Sequence, residues 1–352
     1  MENELQVRDR LIISQFIEAL PEAVIVIDAA DRVVAVNAPA RVLFPVLRPD
    51  DLLARSLRAP DVLDAVKRVR ATGAPERVTW LERVPVERFF ELHAASMEGQ
   101  HFEPTMILTL RDLSEVRRVE RMRVDFVANA SHELRTPLAS LLGFIETLQG
   151  SAREDAKARA KFLSIMREQA QRMARLVNDL LSLSRIEQNL HLRPQAAVDI
   201  VAILRHIADT LAPMASDNDV SLKLDVPGNA IVTGDRDELL RVAENLVENA
   251  IKYGASDSRS SSRKVEISLA AKQRQCVLTV RDHGPGIAPE HLPRLTERFY
   301  RVDPGQSRAK GGTGLGLAIV KHIVARHRGR LGIESKLGEG TTFSVSLPLY
   351  GD

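Results

Sequence analysis

Apolar and polar positions along this chain fall into three successive patterns. From Phe16 to about Leu113, short β-like runs alternate with turn signals: Ala23-Val24-Ile25-Val26-Ile27, the polar stretch Asp28 to Asp31, then Val33-Val34-Ala35-Val36. Two such runs around a turn predict a hairpin. Further β-rich segments at Arg77 to Trp80, Arg88 to Leu92 and Met106 to Leu110 flank helical material from Pro60 to Arg70. The first pattern predicts an antiparallel sheet with helices on one side.

After Asp112 the period becomes helical. Val116, Val119, Met122, Phe126 and Val127 recur at three- and four-residue steps, and the run continues through Leu134, Leu138, Leu141 and Ile145 to a stop at Gly150-Ser151. A second helix starts after Glu154, where Phe162, Met166, Met173, Leu176, Leu180 and Leu183 keep a seven-residue repeat interrupted by Gln169. Two amphipathic helices joined by a short turn cannot cover their own apolar stripes, so a homodimer closing a four-helix bundle is expected. Past Leu190 the text is mixed. Helices are predicted near Ile200 to Met214 and Arg236 to Tyr253, and strands near Ser221 to Leu224, Ala230 to Val232, Val265 to Leu269 and Val277 to Arg281. A last helix and hairpin follow, giving an α/β sandwich. The expectation is a multidomain α+β protein, divided at residues 1–112, 113–192 and 193–352, without internal repeats.

Composition changes this picture little. With 44% hydrophobic and 27% charged residues the chain reads as soluble and globular. A net charge of +2 gives no electrostatic case for nucleic acid. The single cysteine, Cys276, excludes an intrachain disulfide and a thiolate-rich metal site, and its apolar neighbours predict a buried strand residue. No run approaches the roughly 18 apolar residues of a spanning helix. The chain as given is expected in the cytoplasm, with membrane association only if an anchor precedes Met1.

The helical region carries the first chemical signal, Ser131-His132-Glu133-Leu134-Arg135-Thr136-Pro137. It resembles the phospho-acceptor box of sensor histidine kinases, whose H-E-x-x-T-P core is matched at His132, Glu133, Thr136 and Pro137. A neutral imidazole is a competent nucleophile near neutral pH. Glu133, the next residue, is expected to hydrogen-bond the ring nitrogen that does not attack. The resemblance implies that Thr136 orients water for dephosphorylating a partner, and that Pro137 bends the helix.

Four further blocks follow in order. In Glu244-Asn245-Leu246-Val247-Glu248-Asn249-Ala250-Ile251-Lys252-Tyr253, Asn245 and Asn249 share one helix face; Lys252 can approach phosphate and Tyr253 can pack beside a nucleotide. In Asp282-His283-Gly284-Pro285-Gly286-Ile287, directly after a β-run, the carboxylate can accept the exocyclic amine of adenine, and the glycines permit close backbone approach. Gly311-Gly312-Thr313-Gly314-Leu315-Gly316-Leu317 opens a helix, so its amides predict triphosphate binding, without the G-K-[ST] ending of a Walker loop. Gly338-Glu339-Gly340-Thr341-Thr342 precedes the terminal strand.

Together these blocks resemble the ATPase domain of histidine kinases, a fold shared with gyrase and Hsp90 (the Bergerat fold). The resemblance implies ATP and Mg²⁺ as cofactors. It makes Asn249 the metal ligand, assisted by Glu248 or Glu244, and Asp282 the adenine reader. It further implies that Phe299 supports a lid running from Asp303 to Lys310, and that Arg298 or Arg301 pairs with phosphate. Thr296 stands where the family often has a second phenylalanine. It also implies autophosphorylation of His132, transfer to an aspartate of a response regulator, and phosphatase action on that regulator.

The N-terminal hundred residues, with an opening helix, the hairpin followed by Asn37, and a closing strand ending in Arg111-Asp112-Leu113, resemble a PAS sensor domain, with or without a ligand. The stretch from Leu292 to Asp303 resembles phosphate-regulon sensor kinases. Two other classes compete. A scaffold with a decayed nucleotide domain is opposed by the intact Asn249, Asp282, Gly284, Gly286, Gly314 and Gly316. A gyrase- or Hsp90-type ATPase would not require the box around His132.

Overall fold

The computed structural model describes residues 11–83, 87–99, 102–150, 152–226, 228–254, 263–272, 274–303, 305 and 311–351. The chain divides into two compact units, Met1–Asp125 and Phe126–Asp352.

In the first unit, helix α1 (residues 11–18) precedes β1 (Ala23–Ile27) and β2 (Val33–Val36). Helices α2 (Ala38–Leu43), α3 (Leu53–Ser56) and α4 (Pro60–Thr72) follow, then β3 (Glu76–Glu82), β4 (Arg88–Gly99) and β5 (Phe102–Asp112). The strands form one antiparallel sheet in the order β2-β1-β5-β4-β3. Ile25, Ile27, Leu92 and Leu108 pack under Val62, Val66 and Val69 of α4 and under Phe44 and Leu47.

The expectation of helices on one side is incomplete. Val24, Val26 and Ala35 point the other way and are covered by Ile13 and Ile17 of α1. This is why all five residues of β1 are buried, and why its apolar run does not alternate. Asn37 pins the arrangement from inside. Its Oδ1 accepts the amides of Val24 (2.9 Å) and Ala40 (3.1 Å), and its Nδ2 donates to the carbonyls of Ile17 (3.1 Å) and Glu22 (2.7 Å). One buried carboxamide thus caps α2 and ties α1 to β1.

Helix α5 (Ser114–Gln149) leads into the second unit and pairs with α6 (Ala156–Gln188), the ring of Phe144 stacking on Phe162 at 5.1 Å between centroids. Asp155 caps α6 by accepting the amides of Lys157 and Ala158 at 2.9 Å. Ser151, half of the expected stop signal, lies outside the described residues. α5 continues as helix across Pro137.

Beyond the hairpin come β6 (Ala196–Asp199), α7 (Ile200–Asp217), β7 (Ser221–Asp225), β8 (Ile231–Gly234) and α8 (Arg236–Gly254). Then follow β9 (Lys264–Lys272), β10 (Gln275–Asp282), a 3₁₀ turn (Pro289–Arg294), α9 (Gly316–Arg326), β11 (Arg330–Lys336) and β12 (Gly340–Pro348). The main sheet has the order β11-β12-β10-β9-β7, in which only the β7–β9 pair is parallel, and β6 pairs separately with β8. Helices α7, α8 and α9 share a core with the sheet residues Ile267, Leu278, Val280 and Val345. Cys276 is buried there, and the loss of water pushes its thiol up to about 11.

The structure also adds features that the sequence pattern does not carry, α2 and α3 among them. β6 was not foreseen, because its four residues carry one buried side chain, Val198. The seven-residue stripe of α6 points to a partner molecule, yet Leu176 and Leu183 join the sandwich core of their own chain together with Ile186. α6 has apolar residues on more than one face, and periodicity alone does not say which face meets which neighbour.

Candidate functional site

The site begins with α8. Leu239, Val242, Ala243, Leu246, Val247, Ala250 and Ile251 are buried in the core. Three- and four-residue spacing therefore puts Arg241, Glu244, Asn245, Glu248, Asn249 and Lys252 on the opposite face, where they line a cavity of about 580 Å³ with Tyr253. The end of β10 contributes Asp282, and the following turn contributes Gly286 and Ile287. Gly311, Gly312, Thr313, Gly314, Gly316 and Leu317 form the wall that leads into α9, and Thr341 enters from β12. Four blocks far apart in sequence thus meet in one concavity.

Asp282 is 6% exposed. Its Oδ1 accepts the amides of Gly284 (2.9 Å) and Thr341 (3.2 Å). Burial raises its pKa, and the two amide donors oppose that shift. Glu244 is raised as well, by loss of water first and by the neighbouring charge of Glu248 second. Lys252 pairs with Glu248 across one helical turn.

The glycines have a packing role that the sequence reading did not include. Gly286 has φ +70, and a Cβ there would lie 2.1 Å from the carbonyl oxygen of Lys336. A Cβ on Gly316 would lie 2.3 Å from Oδ1 of Asn245, whose Nδ2 donates to the Arg241 carbonyl at 2.8 Å.

Several expected residues stand elsewhere. Leu315 is fully buried in the core and does not line the cavity. Gly284 is not in the lining either; it lies where a Cβ would meet Gly254 Cα at 2.7 Å. Phe299 packs on Phe126 at 5.9 Å between centroids. Arg298 is drawn away from the cavity by Glu187 and by the face of Phe126. Of the two candidate arginines only Arg301 lines the cavity. Residues 304 and 306–310 of the expected lid lie outside the described residues. Tyr300 also lines the cavity, its hydroxyl 2.7 Å from Nδ1 of His291. It was missed because nothing in its spacing separates it from Phe299.

His132 is exposed on α5, and Thr136 donates to its carbonyl at 3.2 Å. Glu133 takes a different direction from the one expected. Its carboxylate accepts Arg301 through both oxygens (3.2 and 3.0 Å) and Arg172 at 3.0 Å. Adjacent residues on a helix diverge by about 100°, so with His132 facing outward Glu133 is turned toward the sandwich.

Residues 122–189 match the family described as the His Kinase A (phospho-acceptor) domain. Residues 234–351 match the Histidine kinase-, DNA gyrase B-, and HSP90-like ATPase. The phosphate regulon sensor protein PhoR of Pseudomonas aeruginosa is 41% identical over 239 residues, which cover 68% of this chain and 53% of that protein. The sensor protein kinase WalK of Staphylococcus saprophyticus is 39% identical over 243 residues, 69% of this chain and 39% of that one. The chain therefore spans about half the length of the first relative and less of the second. Among solved structures, Acinetobacter baumannii histidine kinase AdeS is 27% identical with a TM-score of 0.49, covering 62% of this chain and 98% of that one. His132 lies within the first matched segment, and the α8, β10, glycine-run and β12 residues of the cavity lie within the second. With both segments in order, and a relative sharing two residues in five, the chain belongs to the sensor histidine kinases.

Proposed function

We propose that this chain binds ATP in the α8 cavity, transfers the γ-phosphoryl group to His132, and passes it to an aspartate of a response regulator. The observation that carries this reading is the convergence of Asn249, Asp282, Thr313 and Thr341 on one cavity in the unit that also bears His132. A volume of about 580 Å³ lies within the roughly 300–1,000 Å³ of small-molecule sites. Both amide donors of Asp282 use Oδ1, leaving Oδ2 for the amino group of adenine. The glycine run and the start of α9 face the phosphates.

The donor set fits a divalent cation that arrives with phosphate. Among the described residues no three His, Cys, Asp or Glu side chains form a metal cage, while Asn249, Glu248 and Glu244 line the cavity together. When bound, Mg²⁺ would neutralise phosphate charge, with Asn249 as its ligand and Glu248 or Glu244 assisting. The chain's own residues orient the rest. Lys252 and Arg301 supply positive charge near the phosphates, and Nε2 of His132 attacks the γ-phosphorus as the bond to the ADP oxygen breaks. Thr136, exposed one turn from His132, is assigned to dephosphorylating the regulator.

We further propose that the first unit is a PAS-type sensor domain, supported by its 2-1-5-4-3 strand order, and that the chain works as a homodimer. The resemblance of the stretch from Leu292 to Asp303, together with the 41% identity to PhoR, supports phosphate-regulon signalling. No helix among the described residues is long and apolar enough to cross a membrane. We assign the chain to the cytoplasmic part of such a sensor.

Incubation with labelled ATP and Mg²⁺ tests the central claim. Acid-labile, alkali-stable label is expected on the chain and absent from His132→Gln. Label retained by that variant, or absent from the folded, nucleotide-bound parent, overturns the assignment.

A further inference from the structure

The cavity has a wall that the matched ATPase segment does not supply. Arg175, Asn178 and Asp179 of α6 line it, although α6 belongs to the hairpin of His132. Asp179 makes two directed contacts there. Its Oδ1 accepts Arg241 Nη2 at 2.6 Å, and its Oδ2 accepts the hydroxyl of Thr313 at 2.8 Å. Arg241 is on the cavity face of α8, one turn before Asn245, and Thr313 stands in the glycine run.

The Thr313 hydroxyl oxygen in turn accepts the amide of Leu315 at 3.3 Å, immediately before α9. Asp179 therefore places a negative charge, through Thr313, at the end of α9 where unpaired amides and the helix dipole favour an anion. No side chain of its own caps that end. A carboxylate and a phosphate compete for such donors because both are compact anions with several acceptor oxygens.

Resting on the ATP reading above, we infer that Asp179 is an internal stand-in for nucleotide phosphate, holding Thr313 and Arg241 until a phosphate displaces it. Phosphate entry and detachment of α6 from the cavity are then one coupled equilibrium, and the coupling is reciprocal. Adenosine, which reaches Asp282 but carries no phosphate, leaves the Asp179 contacts in place. Asp179 acts on nucleotide selection and on the docking of the hairpin, not on the reacting atoms.

The test compares the full chain with Asp179→Asn, which keeps the size and one acceptor oxygen but removes the charge and the second acceptor. Binding of Mg-ATP, ADP and adenosine is measured by calorimetry, with circular dichroism to verify the fold. ATP and ADP affinity should rise about three- to tenfold in the variant, the range of a partly exposed charged contact and a modest coupling. Adenosine affinity should stay within about twofold. In the parent chain, ATP but not adenosine should speed amide exchange in residues 172–186. If that variant misfolds, Asp179→Ser, which removes the same charge and leaves Thr313 and Arg241 intact, supplies the same comparison; the ATP-specific exchange change should then shrink. Equal ATP affinity in parent and variant, or an equal rise for adenosine, overturns the role of Asp179 while leaving the ATP site standing. Absence of ATP binding to both folded chains overturns the ATP site and this inference with it.

Discussion

At the scale of single residues, the contact between Gly316 and Asn245 shows how the site is shaped by what is missing. The hypothetical Cβ at Gly316 lies 2.3 Å from Oδ1 of Asn245, well inside contact distance. In Gly316→Ala the carboxamide of Asn245 must leave its bond to the Arg241 carbonyl and swing into the cavity. Nucleotide affinity should fall about tenfold, while the thermal midpoint moves little, because Asn245 is only partly buried. The double variant with Asn245→Ala removes the clash, so the two substitutions should couple by about 1–2 kcal/mol in binding. Additive losses, with no coupling, would place the effect of Gly316 elsewhere. The importance of glycines in this run was legible in the sequence, but their reason was not. A repeated glycine suggests approach to a ligand, whereas at Gly316 it records the close approach of the Asn245 side chain to the backbone.

At the scale of elements, the start of α8 depends on a residue distant in sequence. His327 is almost completely buried. Its Nε2 accepts the amide of Asp235 at 3.0 Å, and its Nδ1 faces the Ile323 carbonyl at 2.8 Å. That pairing requires the neutral ring with its proton on Nδ1. Asp235 in turn accepts the amides of Asp237 and Glu238, both at 3.0 Å, capping α8. Burial, the largest cause, holds the His327 pKa below the ordinary 6.5, and the bond to Ile323 opposes it. The unfolded chain therefore takes up a proton more readily than the folded one. The stabilising contribution is full above about pH 6.5 and is lost as pH falls toward the lowered value, with a slope of at most about 1.4 kcal/mol per pH unit. Glu238, raised by burial, gives a slope of the opposite sign, so the site is isolated by difference. His327→Gln should show a flatter decline of urea midpoint between about pH 7.5 and 5.5 than the parent. Identical slopes would mean that His327 does not titrate on unfolding. From sequence alone this histidine reads as an ordinary structural residue, which it is; its link to α8 is invisible because 92 positions separate His327 from Asp235.

At the scale of the whole molecule, the order of patterns along the chain foreshadowed a sheet-containing first part, a helical hairpin and a sandwich, because hydrophobic period reports the face of each element. It did not foreshadow the association of hairpin and sandwich within one chain, where Leu176, Leu183 and Ile186 enter the sandwich core. Similarly, the adjacency of His132 and Glu133 suggested a pair, while the ion pairs of Glu133 with Arg172 and Arg301 needed coordinates. What the association leaves uncovered still argues for a second copy. Along 36 residues α5 buries only Pro137, and Leu138, Leu142 and Ile145 follow one another at helical spacing, 47%, 53% and 37% exposed. Leu163, Val177 and Leu181 of α6 are exposed as well. Apolar stripes on both helices of one hairpin are satisfied most simply by the same stripes of another, closing four helices around a common core. Light scattering should therefore give a mass twice the 39.0 kDa of the chain, and the pair Leu142→Glu with Leu181→Glu should halve it. Neither residue lines the cavity, so the dissociated variant should still bind nucleotide. A parent chain that is monomeric at micromolar concentration, or a variant that remains dimeric, would show that these stripes are covered in another way.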